Sequence, residues 1–222
     1  MQRIIFLSMI GLLAVFSACD NTGKKETNNP PSNTETNTPP PAPAVLNYGV
    51  QNGGAYDNDF FGVKLTVPDD WYVQSREENA AREQMGNDVP QPIESLQTIY
   101  LLQAYMHEPG SVVEYNAGIN MVASNLSQNS TGGNVDDYMK ELLNNLSMTR
   151  GYSITDRTLS DVVVGGVKMR SATGQVTIEG IKISQQYLAV FRQGYAMQIT
   201  LSWANDVQKN ALNNVLKTAQ FY

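Results

Sequence analysis

Three two-residue connections, each ending in glycine, punctuate the C-terminal third of the chain: DVVV-GG-VKMRSATGQVTI-EG-IKISQQYLAVFR-QG-YAMQITLSW, from Asp161 to Trp203. A link this short between β-branched and aromatic runs is met by a tight hairpin whose central residues take positive φ, which glycine adopts without steric cost. A parallel return would need a crossover of roughly a dozen residues or more, so an antiparallel meander of four strands is expected. In its last strand Tyr195, Met197, Ile199, Leu201 and Trp203 share one face, and Thr200 lies on the other. A helix is expected next, over NDVQKNALNNVLKTAQ. Asn205 caps it, and Val207, Ala211, Leu212, Val215, Leu216 and Ala219 turn towards the sheet.

Upstream, FFGVKLTVPDDW alternates, with Phe61, Val63, Leu65 and Val67 inward, until Pro68 ends the strand. Asp57, Asn58 and Asp59 before it read as an irregular surface loop. A calcium loop of the EF-hand kind starting at Asp57 would place Pro68 where a bidentate glutamate is required. SREENAAREQMG reads as a short exposed helix, with Ser75 as N-cap, Glu78 completing a capping box and Gly86 beyond its end. LQTIYLLQAYMH and AGINMVASNL read as strands joined through Pro109-Gly110. NVDDYMKELLNNLSMTRG is a helix capped by Asn134 and stopped at Gly151, apolar along Val135, Tyr138, Met139, Leu142 and Leu146. The fold class expected for residues 47–222 is α+β, a mostly antiparallel sheet of about six or seven strands flanked by helices.

The start of the chain is different in kind. Arg3 precedes an apolar run of thirteen residues, Ile4 to Phe16, then the small residues Ser17 and Ala18 and the only cysteine, Cys19. A lone cysteine makes no internal disulfide, and with a single histidine, His107, it builds no four-ligand zinc site. The apolar run is too short to span a bilayer comfortably and has the anatomy of a secretory signal. Phe16-Ser17-Ala18-Cys19 resembles the lipobox of bacterial lipoproteins. That resemblance implies a diacylglyceryl group on the Cys19 thiol and cleavage of residues 1–18, and Asp20 implies retention on the extracytoplasmic face of the cytoplasmic membrane. Two acyl chains at about 0.8 kcal/mol per buried methylene hold a protein durably where one does not. Residues 19–46 then form the lipidated cysteine and a tether, holding six of the ten prolines among Asn and Thr. Such a segment has too little to bury to offset its ordering entropy.

Without residues 1–18 the chain carries 14 basic against 21 acidic side chains, only Arg3 being lost. No basic run with interleaved aromatics occurs, so nucleic acid is excluded as a partner and the lipid alone provides membrane affinity. No G-x-S-x-G places a serine nucleophile, and Gly165-Gly166 is not followed by the Lys-Ser/Thr helix of a phosphate loop. No cofactor or metal is expected, nor a catalytic set. The one local group with mixed chemistry is Asp69, Asp70 and Trp71, a weak surface-site candidate whose simpler reading is a solvated turn beside a core aromatic.

Three stretches in this order, FFGVKLTVPDDWYV, the helix before GYSITDRTL, and YLAVFRQGYAMQITLSW with its following helix, resemble the PsbP-like proteins. The carrying residues are the turn from Pro68 to Trp71 and the strand entry Gly194-Tyr195-Ala196. The resemblance implies an α/β/α sandwich, a fold shared with a Ran-binding nuclear transport factor, and a domain that binds a partner protein or supports a complex without catalysis. The alternative is a small-ligand or lipid-binding module with a pocket between sheet and helices, lined by the strand tyrosines Tyr100, Tyr105, Tyr187 and Tyr195.

Overall fold

The computed structural model describes residues 45–85, 93, 96–128, 133–154 and 156–222. The signal segment, Cys19, almost all of the tether and Gly86 lie outside them. In chain order the elements are β1 (Val50–Asn52), β2 (Ala55–Asn58), β3 (Val63–Thr66), β4 (Tyr72–Val73), α1 (Arg76–Glu83), β5 (Thr98–Tyr105), β6 (Gly118–Asn125) and α2 (Val135–Met148). There follow β7 (Tyr152–Ser153), β8 (Ser160–Val164), β9 (Val167–Ile178), β10 (Ile181–Arg192), β11 (Tyr195–Trp203), α3 (Asp206–Lys217) and β12 (Gln220–Phe221).

The meander forms as its turns require. Gly165 and Gly166, Glu179 and Gly180, and Gln193 and Gly194 all sit at positive φ, between 51° and 86°. Such turns match the twist of the strands they join. β8, β9, β10 and β11 pair antiparallel in sequence, and β11 pairs on with β6, setting Tyr195 opposite Asn125. The large sheet runs β4-β5-β6-β11-β10-β9-β7, and β8 also pairs with β9. A second sheet, β1-β2-β3-β12, brings the last residues of the chain beside β3.

The chain is thus α+β with a mostly antiparallel sheet flanked by helices, as expected, and the main sheet has eight strands among the described residues. The additional strands are short. Asp57 and Asn58, read from sequence with Asp59 as an irregular surface loop, belong to β2, and Asn58 is fully buried there. Its amide donates to the Asn47 carbonyl (3.1 Å) and the Tyr56 hydroxyl (3.0 Å) and accepts from Phe61 N–H (2.9 Å). Polar residues hide this strand from a hydrophobic pattern, and the side-chain hydrogen bonds make its burial tolerable.

One face of the large sheet meets α3 and the small sheet. Met197, Ile199 and Leu201 pack in one cluster with Leu212, Val215, Phe61, Val63, Leu65 and Trp71. Val207, expected on this face, is 76% exposed. Five residues before Leu212, it lies about 140° round the helix from it. Gln208 takes the inward position, accepting Ala204 N–H and donating to the Tyr115 carbonyl, each at 2.8 Å. The opposite face carries α2, where Tyr138, Met139, Leu143 and Leu146 pack on Tyr187 and on Ala172, Ala189 and Ala196. Three alanines leave room for the helix to settle close to the sheet.

On that same side α1 packs on β5. Its capping box is present, with Glu78 N–H donating to Ser75 Oγ (3.2 Å) and Ser75 N–H to Glu78 Oε2 (2.7 Å). The expectation of a simply exposed helix is corrected, because α1 buries polar groups. A register shift in β5 between Tyr100 and Leu102 frees Tyr100 N–H from the ladder, and Glu83 Oε1 accepts it at 2.7 Å. The Glu83 side chain is 1% exposed and pairs closely with Arg76, whose guanidinium lies 3.2 Å above the centre of the Tyr48 ring. Beside it Gln103 donates to Asn79 Oδ1 (2.7 Å) and accepts from Arg82 (3.0 Å).

Candidate functional site

Asp69 and Asp70 are exposed on the turn after β3, whereas Trp71 is 8% exposed and belongs to the core, its N–H closing the turn onto the Pro68 carbonyl at 3.0 Å. The aromatic is thus withdrawn from any surface group the carboxylates make. His107 is exposed at a loop end, where its backbone exchanges hydrogen bonds with the Asn116 amide (3.0 and 2.6 Å). Among the described residues no group of three or more His, Cys, Asp or Glu is placed to hold a metal ion.

The strand tyrosines divide between the two faces. Tyr195 joins the α3 side, edge-on to Phe60 and Phe61. Tyr187 joins the α2 side, and Tyr100 and Tyr105 lie near α1. Their neighbourhood is polar. Tyr105 donates to Gln103 Oε1 (3.2 Å), Tyr187 to Gln185 Oε1, Gln185 to Ser202 Oγ (3.2 Å), and Tyr138 to Gln198 Oε1 (2.9 Å). Burial pushes the Tyr115 and Tyr138 hydroxyls up to about 12 and raises Tyr187 further. Tyr138 and Tyr187 act as donors, and the Tyr115 hydroxyl shares a hydrogen bond with Ser202 Oγ. In the same region Asn120 Oδ1 is buried without a hydrogen-bond partner among the described residues. This arrangement specifies packing between α1, α2 and the sheet; sequence alternation located the tyrosines but not the amides that satisfy them.

A hollow of about 690 Å³ lies elsewhere, between the β8–β9 hairpin and the outer flank of α3. Val163, Val164, Gly165 and Gly166 line one side, and Asn210, Asn213, Asn214, Leu216 and Lys217 the other. Asn210, Asn213, Asn214 and Lys217 recur at the three- and four-residue spacing that places them on one helical stripe. The hairpin tip is held in position: a Cβ on Gly165 would lie 2.6 Å from the Ala219 carbonyl oxygen, and Phe221 N–H reaches the Gly165 carbonyl at 3.4 Å. The tip is therefore seated against the chain just beyond α3.

Its rim is an open sheet edge. In a two-residue hairpin the closing pair, here Val164 and Val167, is hydrogen-bonded, and such pairs alternate along the ladder. Ser160, Val162 and Val164 thus direct their backbone groups to β9, while Asp161 and Val163 direct theirs away. β7 does not cover this edge, since it pairs with β9 at Gln175 and Val176, beyond the stretch that β8 occupies. No described residue bonds the outward backbone groups of Asp161 and Val163. The Val163 side chain is 69% exposed. Asp161 is satisfied by Lys168 and Arg170, both at 2.6 Å, and these two cations hold its carboxyl below the usual carboxylate range. Lys217 has no carboxylate partner among the described residues; its Nζ donates to Asn214 Oδ1 at 3.2 Å.

No family model and no curated protein matches this sequence. Among solved structures the chain is similar to cyanobacterial PsbP from Synechocystis sp. PCC 6803, with 14% identity and a TM-score of 0.45 over 82% of this chain and 100% of that one. It is similar to LpqN of Mycobacterium tuberculosis, described as involved in cell envelope biogenesis, with 14% identity and a TM-score of 0.42 over 71% of this chain and 82% of that one. A third similarity is to a Bacteroides thetaiotaomicron protein, with 10% identity and a TM-score of 0.41 over 72% of this chain and 45% of that one. Each is a similarity of fold outline and says nothing of activity.

Proposed function

We propose that this chain is a lipid-anchored envelope protein, held by Cys19 on the extracytoplasmic face of the cell membrane. In this reading its domain is non-catalytic and binds a protein partner at the hollow between β8 and α3. The observation that carries it is a hollow bounded by a strand edge that no described residue pairs, a place where a partner meets backbone donors and acceptors already oriented. The lining mixes three asparagine amides and Lys217 with Val163, Val164 and Leu216, and this polar share favours a polypeptide over the lipid or apolar ligand of the alternative reading. Among the described residues no helix is long and apolar enough to cross a membrane. The Phe16-Ser17-Ala18-Cys19 motif supports the anchor.

Cys19→Ser is expected to abolish incorporation of a palmitate analogue in cells, and undiminished labelling would remove the anchor from this reading. For the partner, a photo-crosslinking residue placed at Asn213 in the full lipidated chain should form a discrete adduct in intact membranes. The same group at Val112, 97% exposed on the loop between β5 and β6, should not. Equal adducts at both positions, or none at Asn213, would count against a partner site at the hollow.

A further inference from the structure

We infer, resting on the partner site just proposed, that the partner enters as an extended polypeptide segment added as a strand along β8. Alternate side chains of that segment descend into the hollow, and one of them is a carboxylate that meets Lys217. Four backbone groups are available, the N–H and C=O of Asp161 and of Val163, all directed outward from an otherwise complete ladder. An exposed edge with this pattern accepts another strand, and neighbouring strands lie about 4.8 Å apart. The added strand would then run beside β8 and above the flank of α3. From Asn210 to Lys217 that flank extends about 10 Å, at about 1.5 Å per residue. Side chains on one face of an extended strand recur about every 6.8 Å, so two of them fit along it.

The chemistry of those side chains follows from the lining. Asn210, Asn213 and Asn214 offer amide donors and acceptors, and Lys217 is the only charged residue among those lining the hollow. An acidic side chain placed there gains an ion pair, and a basic one meets an unneutralised ammonium. The edge itself does not repel an approaching chain, because Asp161 is already matched by Lys168 and Arg170. On the other face of the added strand the exposed Val163 side chain favours an apolar neighbour.

Val163→Pro tests the mode of binding. Proline there removes one outward N–H and obstructs strand addition, but breaks no bond to β9, because Val163 directs its N–H away from that strand. The readout is the Asn213 photo-adduct of the full lipidated chain in intact membranes, with the melting temperature of each variant measured alongside. Val163→Pro should lower the adduct at least tenfold with the melting temperature held within a few degrees. Lys217→Glu, at an exposed position in the last turn of α3, should lower it to a similar extent, and Lys217→Arg should keep it. Mass spectrometry should place the crosslink in a partner segment with Asp or Glu within two residues. An adduct undiminished in Val163→Pro and in Lys217→Glu overturns strand addition while the partner site stands. An adduct of twice the chain's own mass identifies a second copy of this chain and also overturns the inference. Absence of any adduct in the parent chain removes the partner reading itself, and the inference with it.

Discussion

Arg76→Met is expected to cost the domain about 3 kcal/mol. The reason is Glu83, whose side chain is 1% exposed and whose position is set by Tyr100 N–H, not by Arg76 alone. Removing the guanidinium leaves a carboxylate that cannot retreat to water without abandoning the freed amide of the β5 bulge. The cost is placed at the lower end of the range for broken buried pairs because the Arg76 side chain is 33% exposed and partly screened. The pair is more informative than either member. Adding Glu83→Gln to Arg76→Met should recover most of the loss, since the glutamine oxygen still accepts from Tyr100 N–H and carries no charge. Urea denaturation of the parent, the single variant and the double variant measures both quantities. A double variant less stable than the single one would show that the charge of Glu83, rather than its acceptor, holds α1 to the sheet.

Ile199→Ala should cost about 2–5 kcal/mol, the range for truncating a buried aliphatic side chain. Ile199 is 1% exposed at the centre of β11, in the cluster that holds Leu212 and Val215 of α3 and Met121 of β6. Thr200, the next residue, is also buried at 7%, yet it faces the other layer, where its hydroxyl accepts from Gln198 Nε2 at 2.9 Å. Both faces of the strand are covered, so burial alone would forecast similar losses. Thr200→Ala should nevertheless cost about 1 kcal/mol, because it forfeits a single hydrogen bond and little apolar contact. Denaturant unfolding of the two variants separates an apolar layer from a polar one; equal losses would mean that the α1–α2 side packs as tightly as the α3 side.

The parts legible in the sequence are those whose information is local. Glycine at Gly166, Gly180 and Gly194 reports a backbone conformation within two residues, so the hairpins and the meander could be read directly. Asn134 and Asn205 each cap a helix by bonding three residues ahead, to Asp137 and Gln208. The alternation in β11 and the stripe of Leu212, Val215 and Leu216 report which surface must leave water. A local pattern errs where a residue is apolar but turned away. Val207 is the case in point, its place inside α3 being taken by a glutamine with two backbone partners.

Other features exist only through groups distant in the chain. The burial of α1 is invisible in a charged stretch such as REENAARE, since it depends on a bulge in β5 releasing Tyr100 N–H to Glu83 seventeen residues earlier. β2 and β12 are strands because β3 lies between them, not because their residues alternate. The open edge was decided in the same way. Ser160–Val164 reads as an ordinary strand, and nothing within it tells whether a neighbour lies on one side or on both. That follows from where β7 pairs on β9 and from how the β8–β9 turn abuts Ala219, contacts made across the whole length of the domain. Turn geometry, capping and burial pattern are properties of a few consecutive residues. An unpaired edge and a hollow beside it are relations between surfaces, and those surfaces meet only once the chain has folded.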